Sequence, residues 1–309
     1  MAPESSAATP RSILISGASG MIGTPLQKTL RSSGHTVHTL VRRDPRDPQE
    51  HRWDPDTGVI DSGIIDHVDV VINLSGASIG KIPWTREHKK IILSSRINAT
   101  TTLARAIAQA STPPSLLLQG SAVGFYGDRG DEVITEKSSK GEGFLADVVE
   151  EWEQAAIGAV GSKTRVVCAR TGLVIGKGGA MAPLRLQTLL GVGGSIGRGT
   201  QWWPWISLHD EVRALAHLAV HDTDFSVFNL VGPQPATAND ITRELARALR
   251  RPHLLGLPSF AIKALLGEAG VELLLTSQRI TSKALQVTGF TWEDTSEGHA
   301  IARMLGRRA

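Results

Sequence analysis

The chain has 309 residues, 41% of them hydrophobic and 20% charged, a balance that supports a packed core and excludes wholesale disorder. A formal net charge of +3 is too even to imply a nucleic-acid-binding face, and Arg303, Arg307 and Arg308 read as a solvated helix end. One Cys excludes an internal disulfide and a Cys-based zinc site, and one Tyr limits the chemistry available.

Residues 1–10 carry an acid and no apolar run, so they read as a flexible arm and not as a signal peptide. No stretch of about 18 apolar residues occurs, so no transmembrane helix is expected. The expectation is a cytoplasmic protein with a small-molecule partner and neither a nucleic-acid nor a membrane partner. Short apolar runs at 12–16, 36–41, 68–74, 115–119 and 164–169 suit strands covered on both faces of a parallel sheet. Helical periodicity over 84–111 and 144–160 separates the later runs. This alternation predicts an α/β fold, a Rossmann-type doubly wound parallel sheet over 11–171. Beyond 171 the glycines multiply. A helix near 209–221, a strand near 226–231 and a helix near 237–250 follow, so 172–309 reads as a smaller substrate lobe whose chain returns to the sheet.

The first strand runs directly into Gly17, Ala18, Ser19, Gly20, Met21, Ile22 and Gly23, and then into a helix. Glycines at this spacing between strand and helix make a dinucleotide turn. The first allows the tight turn, the second lets backbone approach a pyrophosphate, and the third lets helix pack on strand. Helix N–H groups and the dipole then face the phosphates. An NAD site places an acid after the second strand; this chain has Arg42 and Arg43 there. Two guanidiniums suit a 2′-phosphate, so the cofactor expected is NADP(H), unless both are simply solvated loop charges.

The segments GASGMIG, NLSGASI, SSRINATTTL, GSAVGFYGD and ARTGLVIGKGGAM occur in this order, followed by Trp205, Ile206 and Asp210. Together they resemble the atypical extended short-chain dehydrogenase/reductases, in the group called epimerase-family proteins, which has a small C-terminal domain. The resemblance implies that Asn73, Leu74, Ser75 and Gly76 line the cofactor, and that Arg96 either reaches it or pairs within its helix. It implies that Ser121 polarises a substrate carbonyl, unless it is simply a turn serine at a strand end, and that helices 84–111 and 144–160 form the seam of a possible homodimer.

The resemblance also breaks. Typical members carry Tyr-x-x-x-Lys, in which the Lys lowers the phenol's pKa toward neutral. Here the expected slots hold Leu145 and Val149, and the only tyrosine is Tyr126. Tyr126 is either the substitute acid or a packing residue; Asp147 and Lys137 are weaker candidates. Relatives tend to have His where this chain has Ser207, while His209 is nearby and Asp210 reads as a helix cap. Arg170 reads as substrate-facing or as a binder of backbone carbonyls. Trp203 and Trp205, with Trp202, read as an aromatic wall over the substrate or as core anchors. Asp54 to Gly58 reads as an Asx-type turn, Cys168 as buried and inert, and no metal site is expected. The reading is an NADP(H)-binding oxidoreductase or epimerase-like enzyme acting on a carbonyl or secondary alcohol, with a nucleotide-sugar-like substrate as the candidate class. The alternative is an NADP(H)-binding sensor or scaffold without turnover.

Overall fold

A computed structural model describes residues 9–158 and 160–307; most of the N-terminal arm and Arg308 lie outside the described residues. The strands of the main sheet are β1 (Ser12–Ser16), β2 (Thr36–Val41), β3 (Glu50–Asp54), β4 (Val59–Ile60), β5 (Val70–Asn73), β6 (Leu116–Ala122), β7 (Arg165–Thr171) and β8 (Val227–Leu230). Their order across the sheet is β8-β7-β6-β5-β1-β2-β3-β4. All neighbours are parallel except the antiparallel hairpin β3–β4. The order reverses between β1 and β5, so a ligand crevice is expected beyond the carboxyl ends of those strands.

Successive side chains of these strands enter two different cores. Ile13 and Ile15 pack with Val70, Ile72, Leu116 and Leu118 on one face. Leu14, Val71 and Leu117 pack on the other, against Ala99, Leu103 and Ile107. That is why the strands read as unbroken apolar runs. Helices α1 (Gly23–Ser32), α2 (Arg86–Gln109), α3 (Phe144–Ile157), α4 (Met181–Leu189), α5 (Leu208–Val220), α6 (Ala238–Leu249) and α7 (Ser259–Gly270) follow in order. Helices α1 and α5 cover the first face, α2 and α3 the second. Among the described residues no helix is long and apolar enough to cross a membrane.

Hairpin β3–β4 is not legible as apolar periodicity. It is an edge element whose one buried strand residue is Trp53. The turn joining its strands has the expected Asx geometry, with Asp56 N–H donating to Asp54 Oδ1 at 3.0 Å. A third core holds Trp203, Trp205, Ile241, Leu245, Ile262, Ile301 and Met304. It joins the 172–206 segment to the C-terminal helices. The chain also returns toward the sheet where Arg279–Ile280 pairs with Val133–Ile134.

Candidate functional site: a glycine turn above a buried polar network

The carboxyl edge of β1, β5 and β6 is built on a buried polar layer. Ser16 Oγ donates to Asn73 Oδ1 at 2.6 Å, and Asn73 Nδ2 donates to Thr100 Oγ1 and Gln119 Oε1 at 3.0 and 2.9 Å. Trp152 Nε1 donates to the same Thr100 oxygen at 2.9 Å. Every one of these groups is satisfied, so the layer fixes the strand ends without an unpaired polar cost.

Above it lies the glycine turn. Gly17 has φ +69°, and a Cβ there would sit 2.5 Å from Leu74 O. A Cβ on Gly23 would sit 2.4 Å from Gly17 O, so turn and helix pack through bare backbone. Gly20 differs. A Cβ there would meet only Gly17 O, at 3.2 Å, with no other heavy atom within 4 Å. Ser19 and Gly20 are exposed, Met21 and Ile22 half-buried, and Ile22 offers α1 no side-chain cap. The open side of the turn is thus the shape that an approaching pyrophosphate needs. Met21 also lies against the 176–179 loop, where Cβ atoms on Gly178 and Gly179 would come 3.2 and 3.3 Å from its side chain.

The two arginines after β2 are not equivalent. Arg43 binds Glu50 through both terminal nitrogens, at 2.6 and 2.5 Å. That contact, with the Arg46 N–H, holds the Glu50 carboxyl down to about 2. Arg42 is exposed and has no hydrogen bond or ion pair among the described residues. Leu74 and Ser75 follow β5, and Ser75 N–H donates to Asn73 Oδ1 at 3.2 Å. Arg96 on α2 lies beneath Gly76, whose Cβ would meet its guanidinium carbon at 3.2 Å. Its Nη1 donates to Ala77 O and Ile92 O, and no carboxylate faces it among the described residues. Burial pushes its pKa down to about 10.

Ser121 and Tyr126 are both committed inside the protein. Ser121 Oγ donates to Glu153 Oε1 at 2.6 Å. Glu153 also accepts from Arg170 Nε and Nη2, at 2.8 and 2.7 Å. Arg170 Nη1 donates to Tyr126 Oη at 2.9 Å, and Tyr126 donates to Asn229 Oδ1 at 2.7 Å. Tyr126 is 0% exposed, and burial pushes its phenol pKa up, away from neutral. Arg170, 4% exposed, lies with its guanidinium carbon 3.5 Å from the Phe125 ring centroid. Its guanidinium therefore turns into this buried network, where the sequence left it facing either a substrate or backbone carbonyls.

Of the two readings of the tryptophans, the structure takes core anchoring over a wall facing substrate. Trp203 and Trp205 are core anchors, with Nε1 donating to Leu274 O and to Gln234 O. A large side chain in an irregular glycine-rich segment is buried most cheaply by closing that segment on the core. Asp210 does not cap α5; Ser207 does, accepting from the Asp210 N–H at 3.0 Å. Asp210 instead accepts from Glu293 and Asp294 N–H groups, and His209 pairs outward with Glu293. Asp147 is an exposed partner of Lys140, Lys137 is exposed, and Arg303 pairs with Asp294. Cys168 is buried with its thiol pKa pushed up, and no metal-binding cluster occurs among the described residues.

Two carboxyls escape the sequence reading. Glu153 lies on the buried stripe of α3 with Val149, Trp152 and Ala156. An acid on an apolar stripe signals a buried partner, so its pairing was open to inference. Glu211 in the first turn of α5 is fully buried; Oε1 accepts from Thr171 Oγ1 at 2.8 Å and Oε2 has no partner among the described residues. Burial pushes its carboxyl up to about 8 from 4.5. Between those values the folded chain holds a proton that the unfolded chain releases, so this group's stabilising effect is complete below 4.5 and is lost as pH rises through about 8. Glu211→Gln is expected to flatten that decline in Tm; parallel Tm profiles for the two proteins from pH 4 to 9 would refute it.

The comparisons with known proteins agree with this geometry. The model of the NAD dependent epimerase/dehydratase family matches residues 13–231, and that of a domain of unknown function (DUF1731) matches 257–304. Epimerase family protein ML0860 of Mycobacterium leprae is 40% identical over 291 residues, covering 94% of each chain. The crystal structure of human epimerase family protein SDR39U1 (isoform 2) with NADPH aligns with TM-score 0.86 at 31% identity, over 96% of this chain and 99% of that one. A nucleoside-diphosphate sugar epimerase from Corynebacterium glutamicum aligns with TM-score 0.79 at 33% identity, over 96% of this chain and 59% of that one. With the reversed strand order, the glycine turn and the C-terminal domain all in place, the chain belongs to the NAD dependent epimerase/dehydratase family as an extended short-chain dehydrogenase/reductase.

Proposed function

We propose that this protein binds NADP(H) and passes hydride between its nicotinamide and a carbonyl or secondary alcohol of a small, nucleotide-sugar-like molecule. The observation that carries the reading is the open side of the glycine turn at Gly20, with unpaired Arg42 at the same sheet edge. NADPH in the structure of the human relative supports it, and the name of the Corynebacterium relative supports the substrate class. Gly17, Ser19, Gly20, Met21, Ile22 and Gly23 would hold the pyrophosphate and Arg42 the 2′-phosphate. Arg43 would join Arg42 by exchanging its exposed pairing with Glu50, which costs little. Leu74, Ser75, Gly76 and Arg96 would line the ribose side. Bound nicotinamide supplies the hydride. Ser121 and Tyr126 already spend their hydroxyl hydrogens on Glu153 and Asn229, so neither is free to protonate substrate in this arrangement.

That same commitment favours a second reading, an NADP(H)-binding sensor without turnover. Titration with NADPH and NADH is expected to show at least about tenfold preference for NADPH, largely lost in Arg42→Ala. Equal affinities in the wild type would defeat the 2′-phosphate assignment. Consumption of NADPH with any member of a carbonyl and nucleotide-sugar panel would decide for the enzyme, and none for the sensor.

A further inference from the structure

The core that joins the 172–206 segment to the C-terminal helices has an outer side. Helix α4 turns Met181 and Leu184 into that core and leaves Leu186 and Leu190, one turn apart, exposed. Helix α7 turns Ile262 into it and leaves Phe260 and Leu265 exposed. The chain between these helices is stapled backbone to backbone. Leu254 and Leu255 N–H groups both donate to Gly193 O, at 3.1 and 3.3 Å. Leu257 N–H donates to Ser195 O and Gly197 N–H to Leu257 O, each at 2.8 Å. Gly194 lies so close to Leu255 O that a Cβ has no room there.

The two strips therefore form one surface, and it is apolar. Seven of the fifteen large apolar side chains exposed among the described residues fall within 186–192 and 254–265, with Leu254 81% and Phe260 75% exposed. Side chains that exposed stand out from the surface and do not line a groove. Proteins rarely leave so many large apolar groups together without something to cover them.

The surface also carries charge of one sign. No Asp or Glu occurs between Glu153 and Asp210, or between Glu244 and Glu268. Arg185, Arg250, Arg251 and Lys263 are exposed in these stretches and make no ion pair among the described residues. The acids that bound the second stretch are already taken, Glu244 by Arg247 and Glu268 by Lys89. Arg250 even holds the left-handed position that ends α6, with φ 54°, where glycine is the usual residue.

Charge decides what covers this face. A two-fold contact with a second copy would set the face on itself, unpaired cations against unpaired cations. A bilayer surface with anionic lipid meets both features. Projecting Leu and Phe side chains enter the boundary between headgroups and acyl chains, and the cations sit among the phosphates. Such docking needs no spanning helix, so the sequence expectation of no membrane partner, which rested on the want of one, does not bear on it.

We propose that the face formed by 185–193 and 250–265 docks on an anionic lipid bilayer. Leu254 and Phe260 insert, and Arg185, Arg250, Arg251 and Lys263 contact the headgroups. The proposal is independent of the cofactor reading.

Vesicle flotation with the full chain tests it. One set of vesicles is phosphatidylcholine alone; the other is phosphatidylcholine and phosphatidylglycerol in equal parts. Binding to the anionic vesicles is expected to be at least about tenfold the stronger, and to weaken several-fold when salt is raised to about 0.5 M. The double variant Leu254→Ser/Phe260→Ser is expected to lose about tenfold or more of that binding. Both side chains are exposed, so its Tm should stay within about 2 °C of the wild type. Arg250→Gln/Arg251→Gln, the second variant should the first not fold, is expected to lose several-fold and to remove part of the salt dependence. A wild type that floats with neither vesicle would overturn the proposal, and equal flotation with both would overturn the role of charge. Undiminished flotation of Leu254→Ser/Phe260→Ser would place the contact elsewhere on the protein. A dimer in sedimentation velocity that these substitutions dissolve, with no flotation of the wild type, would assign the face to a second copy instead.

Discussion

Glu153→Ala is expected to be among the most destabilising single changes this chain can suffer, lowering Tm by roughly 10 °C. The reason is what the substitution leaves behind. Arg170 is 4% exposed and would keep its charge with no carboxylate beside it, only the Tyr126 oxygen and the Phe125 ring. Removing one partner of a buried pair typically costs about 3–5 kcal/mol, because the survivor is charged, desolvated and unmatched. In a protein of this size each kcal/mol is worth roughly 2–4 °C. Ser121 would also lose its acceptor. Arg170→Met should cost a comparable amount by stranding the Glu153 carboxylate. The double variant should cost clearly less than the two singles added, since no lone charge remains. Thermal unfolding of the three variants checks this. Singles within about 2 °C of the wild type would mean that the network does not hold the β6, β7 and β8 ends together.

Gly20→Val is expected to do the opposite: little to stability and about a hundredfold loss in NADPH affinity. A Cβ at Gly20 meets one backbone oxygen, Gly17 O, at 3.2 Å, a close contact that a shift of a few tenths of an ångström relieves, and no other heavy atom within 4 Å; the residue does not require a left-handed backbone. The fold should tolerate it to within about 1 kcal/mol. On the proposed reading the space it enters is where the pyrophosphate would lie, and a hundredfold loss corresponds to about 2.7 kcal/mol of displaced contacts. Gly23→Ala is the contrasting control. Its Cβ would lie 2.4 Å from Gly17 O and 2.8 Å from Ala18 Cα, so backbone must move and the fold itself should suffer. Differential scanning fluorimetry beside NADPH titration separates the two variants. Undiminished binding in Gly20→Val would place the dinucleotide elsewhere.

Much of the main sheet and of the glycine turn was legible in the sequence. Strands β1 and β2 fall at the residues their apolar runs indicate, and the later core strands begin or end within three residues of theirs. The glycine spacing works because backbone–backbone approach forbids a Cβ at Gly17 and Gly23, and a local constraint of that kind is written locally. The missing Tyr-x-x-x-Lys was equally plain, since a residue that is absent needs no fold to reveal it.

The roles of the remaining polar residues were decided by tertiary structure alone. Ser121, Tyr126 and Arg170 have the right identities and lie at the right strand ends to face a substrate. They turn inward because Glu153, 32 residues from Ser121, and Asn229, 103 residues from Tyr126, satisfy them. Trp203 and Trp205 go to the core because their surroundings offer an apolar surface and a carbonyl for each indole. Glu272 reaches α3 across 128 residues. Which donor meets which acceptor is set by chain crossings that no local pattern encodes. Sequence by itself therefore determined the fold class and the shape of the glycine turn, products of short-range periodicity and steric exclusion, while the family was carried by the order of several matching segments. Tertiary structure decided which polar groups are left for chemistry, because hydrogen bonding inside a low-dielectric interior is a global assignment made once every partner is in place.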